Sequence, residues 1–284
     1  ISLSGDIADH LEAGQTHSEL DFVLSAAGKA GLLSDLLPSP WGSTNALHLR
    51  HSLILQSCLK TEELFTSCAG YGLAICANGL GALPIMLSGQ LSPIRNFMAP
   101  AFKSSLKGDP KLFAFAITEP GAGSDAEESH GAKHTKPSVI AKRCAGGWQL
   151  TGRKCFITGG DIASYITVFA AIEGEGMESW TCFLVEKNSL GFKPVRTEIK
   201  MGQRASTAAE LEFDKVFVSD KHIIGGLRRG WALNRATLNY SRMPVASVAL
   251  GIARGAMESA IEFACQYKLG GKTLINFQEI QLMV

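Results

Sequence analysis

Residues 118–125 read Thr-Glu-Pro-Gly-Ala-Gly-Ser-Asp and follow directly on the apolar run Leu112-Phe-Ala-Phe-Ala-Ile117. The run is short and uncharged, as a buried strand requires, and the octapeptide that ends it is a loop. Pro120, Gly121 and Gly123 keep the backbone bare and sharply turned, so main-chain N–H groups can point outward. Thr118 and Ser124 add hydroxyls that donate or accept at the same place. A strand ending in such a loop suits a polar, acceptor-rich ligand. The glycine spacing matches neither the dinucleotide-binding fingerprint nor the phosphate loop that ends in Gly-Lys-Ser/Thr. Taken alone, the loop is more simply a turn.

Outward from this loop, hydrophobic periodicity divides the chain into three. Residues 1–111 alternate helical patterns with short breakers. Ser18–Leu32 has apolar residues at three-to-four spacing, and Ser43 or Thr44 is placed to cap the next helix. Residues 112–222 change to short β-rich runs: Leu112–Thr118, Trp148–Thr151, Tyr165–Ala171, Trp180–Val185 and Leu211–Val218. Strands at such close intervals predict a small β-barrel or sandwich. Over 223–284 a helical pattern returns, longest from Gly230 to Lys268, with Pro244 kinking it or sitting near a turn. The fold class is therefore α+β: an N-terminal helical domain, a central β domain and the start of a C-terminal helical bundle. Cys68–Leu87 is nearly charge-free and about membrane length. Asn78, Pro84 and four glycines make it a poor lipid-facing helix, and a buried helix that breaks near Pro84 is the better reading.

Composition sets bounds that agree. A chain of 284 residues with 46% hydrophobic content can bury a sizeable core. Its 27 basic and 26 acidic side chains leave a formal charge of +1, without the strong field that attracts nucleic acid or anionic lipid. The seven cysteines are scattered among mostly apolar residues and lack metal-ligand spacing. They read as reduced core thiols in a cytosol-like compartment, with no metal site. No basic and apolar signal peptide stands at the start. An initial Ile and a helical pattern running into Val284 give the expectation that the natural chain is longer.

Further segments fall in a recognisable order after the loop. They are Leu150-Thr-Gly-Arg-Lys-Cys-Phe-Ile-Thr-Gly-Gly160, Met201-Gly-Gln-Arg-Ala-Ser206, Leu211-Glu-Phe-Asp-Lys-Val216, Arg242 with Gly251-Ile-Ala-Arg-Gly-Ala256, and Phe277-Gln-Glu-Ile280. Together they resemble the acyl-CoA dehydrogenases, flavoenzymes that desaturate acyl-CoA thioesters, most strongly over 112–267. The resemblance implies FAD as cofactor, acyl-CoA as substrate, an electron-transfer flavoprotein as electron acceptor, and a homodimer or homotetramer in the cytoplasm (or the mitochondrial matrix of a eukaryote). By the same resemblance Thr118 bonds the flavin pyrimidine edge, with Phe115, Ile117 and Gly123 in or beside that loop. Ser124 meets the flavin phosphate or the CoA arm. Phe156 stacks behind the isoalloxazine, where an aromatic face excludes water; the plain alternative is an ordinary barrel-core Phe. Thr158 reaches flavin N5, and Gln278 matches a glutamine near the adenine. Asn239 and Arg242 fall on the substrate side, Asn239 standing where the family often has Asp. Arg204 lies beside the substrate cleft or holds two domains together as an ion pair.

The chemistry implied is removal of the α-proton of the thioester by a glutamate while the β-hydride moves to flavin N5. Hydrogen bonds to the thioester carbonyl stabilise the developing enolate, and desolvation raises the pKa of the base. Two departures stand out. The usual glutamate lies in family sequence beyond position 284, and Ser241 occupies the other place a base is found, so the catalytic base is unknown. Where the family has Arg-x-x-Phe-Gly, this chain has Tyr267 and Gly270. Lys268 or Lys272 can supply charge there but not the fork of an Arg. The alternatives are a same-fold nitroalkane oxidase, monooxygenase or carrier-bound acyl dehydrogenase, or a flavin-binding relative without turnover.

Overall fold

The computed structural model describes residues 17–45, 52–124 and 137–284. Asp125, the last residue of the opening loop, lies outside them. Eight strands form one mixed sheet: β1 Phe113–Ala116, β2 Ile140–Cys144, β3 Gly147–Thr158, β4 Tyr165–Ile172, β5 Thr181–Glu186, β6 Phe192–Thr197, β7 Ala208–Ser219 and β8 Ile223–Ile224. Their order is β6-β7-β3-β2-β4-β5-β8, and β1 joins at β4. One edge of β4 takes two parallel partners in turn. β1 pairs with Tyr165–Val168, and β2 pairs with Ala171 and Ile172. That branch sets the loop after β1 against the far end of β3, where Cys155 N donates to Thr118 O at 3.0 Å.

Five helices of eight or more residues are described: α1 His17–Lys29, α2 Leu53–Ser67, α3 Ala69–Leu87, α4 Ala99–Leu106 and α5 Gly230–Gln266. A short helical turn, Leu91–Pro93, and π-helical Ile94–Met98 lead into α4. By length and composition α3 could cross a membrane, yet 56% of its apolar window is buried inside the protein. Its polar residue has a structural use. Asn78 Nδ2 donates to Leu33 O (2.8 Å) and its Oδ1 accepts from Phe113 N (2.9 Å), tying α3 to the start of β1. The helix runs through Pro84 and ends three residues later at Leu87. α5 likewise continues through Pro244, so of the two expected placements, a kink or a nearby turn, the turn is absent. It presses on α2 at Gly251 and Gly255, where an added Cβ would lie 2.3 Å from Glu62 O and 2.2 Å from Thr66 O.

Ser43 and Thr44 cap no helix among the described residues. Their hydroxyls donate to Gly31 O (2.6 Å) and Asp35 O (2.5 Å), closing the turns after α1, and the residue preceding α2 is Ser52. All seven cysteines are free, but only Cys155 and Cys182 are buried, and Cys265 is exposed. Beyond α5, Lys268–Leu269 and Lys272–Thr273 form a small hairpin around Gly270 and Gly271, both at positive φ. A Phe at position 270 would be strained in that turn. The departure at 270 therefore has a local cause.

Candidate functional site

A cavity of about 340 Å3 opens between the sheet and helices α2, α3 and α5. Its sheet wall gathers Phe115, Ile117 and Thr118 from the end of β1 with Phe156 and Thr158 from the end of β3. Phe115 and Ile117 share a face because strand side chains alternate. Phe156 arrives differently. The β3–β7 register shifts between Lys154 and Ile157, and Phe156 itself adopts φ 59°. A bulky residue at positive φ is an outlier, and strain of this kind is retained chiefly where a site needs it. The bulge turns the ring out of the core, leaving it 62% exposed between buried Cys155 and Ile157. The plain alternative of a barrel-core Phe is thereby excluded.

The loop is held from beneath by a group that the sequence did not single out. Lys154 and Glu119 are fully buried and paired, Nζ to Oε1 at 2.8 Å. Lys154 Nζ also donates to Ile117 O (2.8 Å), while Glu119 accepts from Ser138 N (2.5 Å) and Val139 N (3.2 Å). The turn is closed by Glu119 N to Ala122 O and Ala122 N to Glu119 O, at 2.9 and 3.2 Å. Burial pulls the Lys154 ammonium below its ordinary range, and Glu119 offsets part of that. The pair fixes the backbone carrying Ile117 and Thr118 to the strand carrying Phe156. An exposed aromatic face with two threonines on the same wall, facing apolar helix residues, fits a planar ring with polar edges. The residues present thus fit the flavin that the resemblance implies.

The helical wall includes Leu73, Leu80 and Leu83 of α3, and Leu238, Ser241, Val245 and Val248 of α5. Those α5 positions recur at three-to-four spacing, the face a helix offers one neighbour. Ser241 therefore does reach the cavity, with its hydroxyl donating to Leu238 O at 3.1 Å. Asn239 and Arg242 do not line it. Both are exposed on the adjacent face of α5, where Arg242 Nε donates to Asn239 Oδ1 at 3.5 Å. Gly123 is half-buried and Ser124 exposed on the loop rim, outside the cavity lining. Gln278 is exposed beyond the terminal hairpin and is not brought to the cavity. Arg204 is exposed and does not line it either.

Comparison with known proteins agrees with this geometry. The family model for the acyl-CoA dehydrogenase middle domain matches residues 114–216, and that for the acyl-CoA dehydrogenase C-terminal domain matches 228–284. The chain is 36% identical over 258 residues to the cyclohex-1-ene-1-carbonyl-CoA dehydrogenase of Geobacter metallireducens, covering 90% of this chain and 63% of that protein. It is 28% identical to the CarC subunit of the caffeyl-CoA reductase-Etf complex of Acetobacterium woodii, covering 99% of this chain and 69% of that one. The crystal structure of an acyl-CoA dehydrogenase from Bacillus anthracis complexed with FAD superposes with a TM-score of 0.77 at 26% identity, over 99% of this chain and 48% of that one. The chain thus spans less than two thirds of the length of the Geobacter relative. This protein belongs to the acyl-CoA dehydrogenase family.

Proposed function

We propose that this protein is an FAD-dependent acyl-CoA dehydrogenase that introduces an α,β double bond into an acyl-CoA thioester and passes the electrons to an electron-transfer flavoprotein. The observation that carries it is the meeting of Thr118, Thr158 and the outturned Phe156 on one wall of a largely apolar cavity. Bound FAD supplies the hydride acceptor. The chain's own residues do the rest of what is assigned here. Phe156 backs the ring and keeps water from it, Thr118 and Thr158 offer hydroxyls to its edge, and Lys154 with Glu119 holds both segments in place. The apolar α3 and α5 side chains exclude water from the acyl group.

Asp35, the acidic side chain among the described lining residues, is bound to Lys60 at 2.6 Å and is not suited to take the α-proton. Ser124, Asn239 and the exposed Arg242 are assigned to the CoA arm, and Gly123 and Gln278 to FAD outside the cavity. The same reading takes the boundaries near 111/112 and 222/223 as domain junctions, and the protein as a homodimer or homotetramer of the cytoplasm or mitochondrial matrix. Anaerobic addition of acyl-CoA thioesters to the FAD-loaded protein, followed by flavin absorbance, tests the proposal. Bleaching is expected. A flavin that stays oxidised with every chain length would refute it.

A further inference from the structure

The helical wall of the cavity contains more polar groups than an alkyl chain can use. Ser57, Lys60 and Thr61 lie at positions i, i+3 and i+4 of α2 and face the cavity, while Leu55 and Leu59 of the same helix are 53% and 59% exposed. Part of the polar surface of α2 thus faces inward while two of its leucines face out, although Phe65 of the same helix is also buried. Asp35, Cys76 and Tyr240 complete the patch from three other segments. Lys60 Nζ donates to Asp35 Oδ2 (2.6 Å), Tyr240 OH and Ser57 Oγ are 3.4 Å apart, and Thr61 Oγ1 and Cys76 Sγ are 3.7 Å apart. Burial lowers the Lys60 pKa, but Asp35, with smaller contributions from Cys76 and Tyr240, more than reverses this and leaves it above its ordinary range, so the ammonium stays charged. Among the described residues Asp35 Oδ1 accepts no hydrogen bond, and Lys60 keeps two further N–H groups to offer.

Each candidate ligand meets this patch differently. A plain alkyl chain would strip water from the ion pair and give nothing back, which is costly for groups left unpaired. A carboxylate would meet a lysine already neutralised by Asp35. A hydroxyl does both things the pair needs: it donates to Asp35 and accepts from Lys60. Resting on the dehydrogenase reading above, we propose that the acyl group of the substrate carries a hydroxyl remote from the thioester, recognised by Asp35 and Lys60 with Ser57, Thr61 and Tyr240 around them. The patch lies on the helical wall, whereas the proposed flavin residues come from the sheet wall. The hydroxyl thus belongs to the far part of the acyl group and not to the carbons that react.

The test compares hexanoyl-CoA, 6-hydroxyhexanoyl-CoA and adipoyl-CoA as substrates of the FAD-loaded protein. Expected is a kcat/KM for the hydroxy compound about tenfold or more above that of hexanoyl-CoA, because a site built for a hydroxyl discriminates against its absence. The paired variant Asp35→Asn with Lys60→Met, which leaves no lone charge behind, should bring that ratio to about one. If circular dichroism shows that this variant does not fold, Tyr240→Phe takes its place and should lower the ratio about threefold or more. Equal kcat/KM for the hydroxy and plain compounds, preference for adipoyl-CoA, or a preference that survives both variants would overturn the inference. Absence of bleaching by all three compounds is a separate result, which refutes the dehydrogenase reading and the inference with it.

Discussion

Replacing Lys154 by Met tests whether the buried pair under the loop organises the site. The substitution keeps the length of an unbranched side chain and removes the ammonium. It deletes two hydrogen bonds, to Ile117 O and to Glu119 Oε1, both at 2.8 Å. Glu119 then remains fully buried with only the N–H groups of Ser138 and Val139 to satisfy its carboxylate. Breaking one side of a buried pair costs about 3–5 kcal/mol, and the donor lost at Ile117 adds about 1 kcal/mol. A loss on the order of 4–6 kcal/mol is therefore expected in urea unfolding followed by circular dichroism. Glu119→Gln alone should also be severe, since it strands the ammonium and turns an amide N–H₂ toward backbone donors. The double variant Lys154→Met with Glu119→Gln buries no charge. It should recover about 2 kcal/mol or more relative to the sum of the two single losses. FAD affinity should fall in Lys154→Met, because Ile117 and Thr118 lose their anchor. A single-variant loss below about 1 kcal/mol, or strict additivity in the cycle, would refute the reasoning.

Phe156→Gly should separate folding from binding: relief of the left-handed backbone raises stability of the FAD-free protein by about 1 kcal/mol, while FAD affinity drops. Thermal melts and flavin titration check both, and a fall in the melting temperature of the FAD-free variant would count against the strain. Gly255→Ala puts a Cβ 2.2 Å from Thr66 O and should cost about 1–3 kcal/mol by forcing α5 from α2, read as a lower melting temperature. His222 lies below its ordinary pKa because of burial, with the Phe97 ring against it and Glu186 at 3.6 Å offsetting only part. The unfolded imidazole therefore binds a proton more readily than the folded one. Stability is full above about pH 6.5 and is lost as pH falls through the folded value. His222→Gln should flatten that part of the urea midpoint against pH, and an unchanged profile would refute the assignment.

The opening loop was legible because glycine, proline and hydroxyl residues state their use locally, and the resemblance supplied the partner segment at Phe156 and Thr158. The Lys154–Glu119 pair was not, although both residues lie in the quoted segments. Along β3, strict alternation from Leu150 puts Gly152, Lys154 and Phe156 on one face. The burial of Lys154 keeps that period from buried Leu150, but the irregularity between Lys154 and Ile157 breaks it, so Phe156 turns out. No count of two along the sequence reveals this. Strands β2 and β6 were missed because Lys142, Arg143, Lys193 and Arg196 give them the look of loops; only Ala141 in β2 and Phe192 in β6 are buried. On α2, nothing in the residue types of Ser57, Lys60 and Thr61 marks an internal face, and only the packing of α3 and α5 against that helix shows that they line a cavity.

The two walls of the cavity therefore differ in how they are held. The sheet wall is fixed by a fully buried ion pair, a closed turn and a bulge, so its shape does not depend on what fills the cavity. A wall of that kind suits a group that stays the same from one turnover to the next. The helical wall is held by close backbone approach of α5 on α2 at Gly251 and Gly255, and by apolar side chains that can be exchanged without altering that approach. Its polar stripe on α2 can change by single substitutions while the helix keeps its place. On the proposed function, specificity for the acyl group would be carried by side chains that the fold leaves free to vary, and the residues that fix the sheet wall are those whose loss the fold itself would register.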